Sequence, residues 1–222
     1  MLGAAGLLAI AALSGCVRSI DGVAAWTGGS GASTAQSRAP TRNNGAPAPG
    51  IETTLPDHIP PNAFLCFPGP AEGGIGTVAQ VQDAAAPRIT ITLPDGWTSE
   101  PGQRDLALSL SGPDGMSGTV TIATTKLDPA QAFSDYAATL AQAKSDFQVD
   151  VVGAKFCGYS SQKLVGTFGG PSGTVEFADR LTHIWTNTDQ YLVAVDMEGP
   201  EDAPGFGAAK TALMQDFAVV IP

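Results

Sequence analysis

Basic residues are scarce in this chain, and their scarcity argues against two kinds of partner. Lysine and arginine together number 11 among 222 residues, against 21 aspartates and glutamates, so the formal net charge is -10. A nucleic-acid-binding protein needs a clustered basic surface, and a polybasic membrane anchor needs the same. We therefore predict no nucleic-acid partner and interpret the acidity as a property that mainly promotes solubility.

The apolar run near the start of the sequence is too short to cross a bilayer. It extends from Leu2 to Leu13, whereas a spanning helix needs about 20 apolar residues. An apolar run followed by small residues is typical of a secretory signal peptide. The usual basic residue before the run is missing, since the first one in the chain is Arg18. An ordinary buried helix is the alternative interpretation.

The tetrapeptide Leu13-Ser14-Gly15-Cys16 resembles the bacterial lipobox, in which a leucine and two small residues precede a lipidated cysteine. The resemblance implies that residues 1–15 are a lipoprotein signal peptide and that Cys16 becomes a diacylglyceryl cysteine carrying palmitate. A single acyl chain gives only marginal membrane binding, so stable anchoring requires at least two chains. We therefore expect an exported protein, anchored by lipid at the outer face of the cell membrane.

Cysteines are also few, and an even pair is left once Cys16 is assigned to lipid. The remaining two are Cys66 and Cys157, and an even number suits disulfide pairing in an oxidising compartment. A bond between them closes a loop of about 90 residues, which the chain-entropy model values at about 4–5 kcal/mol. Two separate buried thiols are the alternative.

The sequence offers few candidates for catalysis. The chain has two histidines, His58 in a predicted entry loop and His183 in a predicted strand, and we interpret His183 as a structural neighbour of adjacent strands. No Gly-x-Ser-x-Gly motif is present. The glycine-rich run at residues 73–76 lacks the Lys-Ser/Thr ending of a phosphate loop. We therefore predict that the protein is not an enzyme and uses no cofactor.

One acidic cluster has the chemistry of a cation site but not the spacing. Carboxylate oxygens are ligands that calcium prefers, and the cluster comprises Asp196, Glu198, Glu201 and Asp202. Its spacing differs from that of an EF-hand loop, and acids before a helix favour the positive amino-terminal end of that helix. The cysteines and histidines are not at zinc-finger spacing either. We interpret the cluster as a solvated turn and predict no metal site.

Composition divides the chain from Cys16 onward into two parts. Residues 16–55 are rich in glycine, serine, threonine, proline and alanine, a composition that buries no core and predicts a disordered tether. From residue 56 onward, apolar residues recur with the periods of secondary structure. We predict a single globular domain over residues 56–222.

The periodicity of this domain predicts strands first, then a helix, then strands and a second helix. Apolar residues alternate with polar ones along residues 88–93, 106–110 and 119–124, which is the period of half-buried strands. Asp128 and Pro129 predict the start of a helix, and residues 133, 136, 137 and 140 form its apolar face. A hairpin about residues 187–189, a helix over 204–217 and a docking tail at 218–221 follow. This order predicts an α+β domain with a mainly antiparallel sheet and helices on its faces.

Together these features resemble the mycobacterial exported lipoproteins of the LpqN and LpqT type. The resemblance rests on the lipobox, the tether, the run Ile-Thr-Leu-Pro-Asp-Gly-Trp at residues 91–97 and the Leu-Asp-Pro-Ala helix start at residues 127–130. It covers residues 87–222 and implies a PsbP-like α/β/α sandwich in an envelope lipoprotein without a catalytic centre. The cysteine pair and residues 56–87 depart from the family pattern.

Two functions in the cell envelope are compatible with these features. The first is a binding or adaptor module that recognises an envelope protein or a glycan. The alternative is a carrier that holds a lipid or glycolipid in a pocket between the sheet and a helix. A pocket for acyl chains should be broad and apolar, and the sequence assigns no surplus apolar residues to one.

Overall fold

A computed structural model describes the chain at residues 48–52, 54, 59–66 and 74–222. The predicted signal peptide, Cys16, most of the predicted tether and His58 lie outside these residues. Among the residues that are described, no helix is long and apolar enough to cross a membrane.

The described part of the chain forms eleven β-strands and two α-helices. In chain order these are β1 (Phe64–Cys66), β2 (Gly74–Ala79), β3 (Arg88–Pro94), β4 (Thr98–Pro101), β5 (Leu106–Ser111), β6 (Ser117–Thr125), α1 (Pro129–Ala143), β7 (Ser145–Phe156), β8 (Tyr159–Gly170), β9 (Gly173–Trp185), β10 (Gln190–Pro200), α2 (Phe206–Leu213) and β11 (Ala218–Val220). A short 3₁₀ helix, Pro113–Gly115, joins β5 to β6.

The smaller sheet is assembled from segments that lie far apart in the sequence. Its four strands have the order β1-β11-β3-β2, and every pairing is antiparallel. The carboxy-terminal strand β11 therefore lies between β1 and β3. Val219 and Ile221 are fully buried there. The tail therefore joins a sheet as a strand, whereas the sequence predicts only that it docks against one.

The larger sheet has seven antiparallel strands in the order β4-β5-β6-β10-β9-β8-β7. Four of them, from β7 to β10, follow one another as hairpins. Cys157 and Gly158 form the two-residue turn between β7 and β8 with φ values of 49° and 82°, and positive φ at both positions is the requirement of a type I′ turn. The predicted hairpin about residues 187–189 is present as β9 and β10.

The two sheets enclose one hydrophobic core. Ile89 and Ile91 of β3 belong to the same buried cluster as Ile122 of β6 and Val193 of β10. Helix α2 contributes Phe206, Ala209 and Leu213 to that cluster. One face of the large sheet is thus covered by the small sheet and α2 together.

Helix α1 covers part of the opposite face of the large sheet. The Asp128 carboxylate accepts a hydrogen bond from the Gln131 amide at 3.0 Å, which is the predicted N-cap, and Pro129 occupies the first turn. Phe133 is buried against Leu164, Phe168, Phe177, Leu181 and Ala194, and Tyr136, Ala137 and Leu140 pack at the margin of this cluster. The predicted apolar face is confirmed.

The predicted fold class is wrong. The sheets are antiparallel, but the domain is a β-rich structure and not an α+β, PsbP-like α/β/α sandwich with helices on its faces. A second sheet covers much of the face assigned to a helical layer, and α2 ends at Leu213 instead of continuing to residue 217. Local periodicity did not reveal that the tail pairs with β3, more than a hundred residues earlier.

Candidate functional site

The predicted cysteine pair forms a disulfide between the two sheets. Cys66 ends β1 of the small sheet, Cys157 lies in the β7–β8 turn of the large one, and their Cα atoms are 5.8 Å apart. The bond links residues 91 positions apart. The alternative of two free thiols is therefore not what the structure shows.

His183 is buried on the face of β9 that helix α1 covers. Its Nε2 atom lies 3.1 Å from the Leu127 carbonyl oxygen, just before the α1 N-cap. Burial lowers the pKa of this imidazole, while the hydrogen bond to Leu127 and the charge of Asp128 act in the opposite direction. The contact joins β9 to the segment before α1, whereas the sequence predicts a contact with an adjacent strand.

The acidic cluster of the sequence separates into two parts. Glu201 and Asp202 are exposed in the turn after β10, as the solvated-turn interpretation expects. Asp196 and Glu198 lie on β10 itself and are partly buried. Within the described residues, no group of three or more histidines, cysteines and acids is arranged to hold a metal ion.

A buried carboxylate that the sequence analysis missed lies beside Asp196. Asp179 on β9 pairs in register with Asp196 on β10. The Asp179 side chain is buried at 1% exposure, and neither of its oxygens has a hydrogen-bond partner. Asp196 accepts a hydrogen bond from the Thr119 hydroxyl at 2.9 Å. The available signal was a charged residue inside the long strand run at residues 174–185.

Burial shifts the titration of this pair strongly. It raises the pKa of Asp179 to about 8, with a further contribution from the charge of Asp196. Burial likewise raises the pKa of Asp196 to about 6, against the Thr119 hydrogen bond, which lowers it. Burial therefore favours the protonated form of both carboxyl groups, which titrate as one coupled pair.

Helix α1 brings two polar groups to the same place. The Tyr136 hydroxyl approaches Asp179 closely enough to lower the carboxyl pKa, without the distance and angle of a completed hydrogen bond. Burial and both carboxylates raise the pKa of Tyr136. Lys144, at the end of α1, pairs with Glu198 at 2.9 Å and lies 3.9 Å from the centroid of the Phe168 ring.

Arg180 is the buried cation on the other face of β9. Its guanidinium donates to the Ser161 hydroxyl at 2.8 Å, the Met214 carbonyl at 3.0 Å, the Lys155 carbonyl at 3.1 Å and the Asp216 carboxylate at 2.9 Å. These bonds connect β7, β8 and the chain after α2. Arg180 is satisfied by its own domain, which identifies it as a structural residue.

A polar groove of about 420 Å³ lies between the β2–β3 connection and the end of β11. Its lining comprises Asn62, Gln80, Val81, Asp83, Ala84, Ala86, Pro87, Arg88 and Pro222. Asp83 accepts hydrogen bonds from the Tyr191 hydroxyl at 2.7 Å and the Ala85 amide at 2.9 Å, and the Tyr191 bond lowers its pKa. The groove therefore presents an oriented, ionised carboxylate, and its volume lies within the range of ligand pockets.

Residues 48–52, which the sequence analysis assigns to the tether, lie against the start of β8, and we call them the strap. The Gly50 carbonyl accepts from the Ser161 amide at 2.8 Å, and the Pro49 carbonyl accepts from Gln162 Nε2 at 2.8 Å. The Glu52 amide donates to the Ser160 hydroxyl at 2.9 Å. The strap thus enters the domain beside helix α1, where Ile51 packs at the edge of its apolar cluster.

These features define a disulfide-bonded, β-rich domain of two antiparallel sheets, with a buried acid pair beneath α1 and a polar groove at the small sheet. No protein-family model matches the chain, and no curated protein matches it.

Comparison with solved structures shows a fold similar to that of LpqN from Mycobacterium tuberculosis, described as involved in cell envelope biogenesis. The TM-score is 0.52 at 16% sequence identity, over 68% of this chain and 99% of LpqN. This confirms an LpqN-like fold, whereas the link to LpqT stays a prediction. A Pseudomonas aeruginosa protein of unknown function, described as a putative regulator, matches with a TM-score of 0.38 and 13% identity, over 64% of this chain and 96% of that one.

Proposed function

We propose that this chain is a cell-envelope lipoprotein whose disulfide-bonded domain binds another envelope component, either a protein or a glycan. The observation that carries the proposal is the similarity in fold to LpqN across almost the whole length of that protein. LpqN is involved in cell envelope biogenesis, and we extend an envelope role to this chain. The proposal includes no catalytic step.

The covalent chemistry of the chain supports export. A disulfide such as Cys66–Cys157 persists in oxidising compartments outside the cytoplasm. The Leu13-Ser14-Gly15-Cys16 motif precedes the domain and supplies the predicted lipid attachment site. A domain held at the outer face of the membrane by Cys16 would meet envelope proteins and glycans directly.

The polar groove supports binding of a hydrophilic partner. Asp83 is held by two hydrogen bonds, so its carboxylate is oriented before a ligand arrives. The amide side chains of Asn62 and Gln80 and the guanidinium of Arg88 add donors and acceptors. Beneath α1, in contrast, apolar side chains such as Phe133 and Phe177 pack against one another. The lipid-carrier alternative stays a prediction, and we favour the binding module.

Replacing Cys16 by serine tests the anchor. We expect Cys16→Ser to move the protein from the membrane fraction to the soluble exported fraction, because it removes the lipid-bearing thiol. Intact-mass measurement of the wild type should show the diacylglyceryl and acyl increments and the Cys66–Cys157 bond. Retention of the Cys16→Ser variant in the membrane fraction would refute the lipid anchor.

Binding to purified envelope material tests the domain. We expect the mature Cys16→Ser protein to co-sediment with cell-wall glycan or to bind an envelope protein, and Asp83→Asn to weaken that binding. Asp95→Asn, at an exposed turn outside the groove, is the matched control and should bind as the parent does. Native mass spectrometry covers the alternative, since stoichiometric co-purified lipid would favour the carrier over the binding module.

A further inference from the structure

Helix α1 is attached to the large sheet by a narrow contact. Ala132 and Phe133 are its fully buried residues, and Tyr136, Ala137 and Leu140 are half-buried. Beyond this contact, the Lys144–Glu198 ion pair fastens the carboxy-terminal end of the helix to β10. The free energy that holds α1 on the sheet therefore depends on a small number of side-chain contacts.

A group with no partner lies beneath that contact. Both oxygens of Asp179 are buried and lack a hydrogen bond, although an ionised carboxylate is very costly to bury unpaired. A buried acid in this position takes up a proton. Asp196 is the residue opposite it on the next strand, and side chains of such cross-strand pairs are direct neighbours. Two carboxyl groups at one site commonly retain one proton between them.

We propose that Asp179 and Asp196 together hold one buried proton that keeps helix α1 on the sheet, so that loss of this proton loosens the helix. The loosened helix uncovers the apolar residues beneath it, among them Phe168 and Phe177. We call the Asp179–Asp196 pair, with its proton, the latch.

The charged and titratable groups around the pair do not neutralise a second negative charge. Helix α1 contributes Tyr136 and Lys144, and β10 contributes Glu198 in addition to Asp196. Lys144 is already paired with Glu198. The polar group from β6 is Thr119, whose hydroxyl hydrogen bonds Asp196, and the β8 residue opposite Asp179 is Leu164. Deprotonation would leave two carboxylates on adjacent strands without a free cation among these groups.

Because the pKa of Asp179 is raised in the closed structure, the stability of the closed helix falls as the pH rises. The pKa of Asp179 is raised to about 8 in the closed structure and returns to about 4 when the side chain meets water. The proton therefore stabilises the closed helix fully below pH about 4, and this stabilisation is lost as the pH rises through about 8. Across that window the opening constant of α1 rises by up to about tenfold per pH unit and then levels off. Asp196 titrates with Asp179 as a coupled pair.

Hydrogen exchange of the α1 amides measures the opening directly. With rates corrected for the intrinsic pH dependence of exchange, we expect the α1 opening constant to increase by about fiftyfold between pH 6 and pH 8. The amides of β6, β9 and β10 should change much less, since they do not depend on the position of α1. An α1 opening constant that is the same at pH 6 and pH 8 would overturn the proposal.

Two aspartate substitutions separate the latch from a general effect of charge. Asp179→Asn keeps a neutral donor at the site, so its α1 opening constant should stay flat from pH 6 to pH 8. Asp135→Asn, at an exposed position of α1, should retain the wild-type profile. A pH-dependent Asp179→Asn variant would count against the latch. If that variant does not fold, the carbon NMR shift of the wild-type Asp179 carboxyl decides the matter: a midpoint near pH 8 supports the latch, and one near pH 4 overturns it.

Discussion

Replacing Arg180 by methionine removes the most highly connected buried charge of the domain. The guanidinium side chain is 2% exposed and donates to Ser161, Lys155, Met214 and Asp216. Methionine has a similar length but no donor, so all four hydrogen bonds are lost while most of the volume is kept. The substitution therefore reports the polar contribution rather than a cavity.

The expected cost follows from what each acceptor loses. The carbonyls of Lys155 and Met214 lose their bonds to the guanidinium, and a buried group left unsatisfied costs about 1–3 kcal/mol. Asp216 is 48% exposed, so water replaces much of what it loses and it adds little. The methionine variant does not have to bury a guanidinium charge, and the avoided desolvation penalty offsets part of this loss of stability. We expect the free energy of unfolding to fall by about 2–4 kcal/mol, a large share of the typical 5–15 kcal/mol.

Urea denaturation followed by circular dichroism measures this change, provided that the disulfide stays oxidised. The unfolding midpoint should fall without a change in the slope m. Asp216→Asn is the control, because it removes the exposed charge and keeps an acceptor, and it should cost at most about 1 kcal/mol. The reasoning fails if Arg180→Met is neutral. It also fails if Asp216→Asn costs as much, since the ion pair would then be the source of the stability.

Two further predictions concern the connections of the domain. Replacing both Cys66 and Cys157 by alanine should lower the free energy of unfolding by about 2–5 kcal/mol, because it releases a long loop in the unfolded chain; an unchanged urea midpoint would contradict this. Gly50→Ala should detach the strap, because a Cβ atom at Gly50 would overlap the Ser161 carbonyl oxygen. Faster exchange of the Ser161 amide would report the detachment. Gly96→Ala is the control, since Gly96 has a similar positive φ of 78° and no atom within 4 Å of the added Cβ. If both substitutions accelerate exchange of the Ser161 amide equally, backbone strain alone is responsible and the strap contact is not.

Part of the site could be predicted from cysteine number and acidic composition. The pairing of Cys66 with Cys157 followed from their even count after Cys16 was set aside, and the structure contains that bond. The sequence places Asp196 and Glu198 in one acidic cluster with Glu201 and Asp202, their neighbours along the chain. Sequence proximity misassigned them, because β10 carries Asp196 and Glu198 beneath α1 while the following turn exposes the other two.

Local sequence patterns are sufficient to predict several elements of this domain. The alternation along β3, the proline and N-cap of α1 and the turn between β9 and β10 each depend on residues a few positions apart, and each formed as predicted. The order of the strands within each sheet, in contrast, depends on long-range contacts. The insertion of β11 between β1 and β3 and the meeting of Asp179 with Asp196 depend on pairing across the chain. Periodicity indicates which side of a strand is buried, but it contains no information about the partner strand. For this reason neither the β-rich two-sheet fold nor the acid pair beneath α1 could be predicted from the periodicity of single segments.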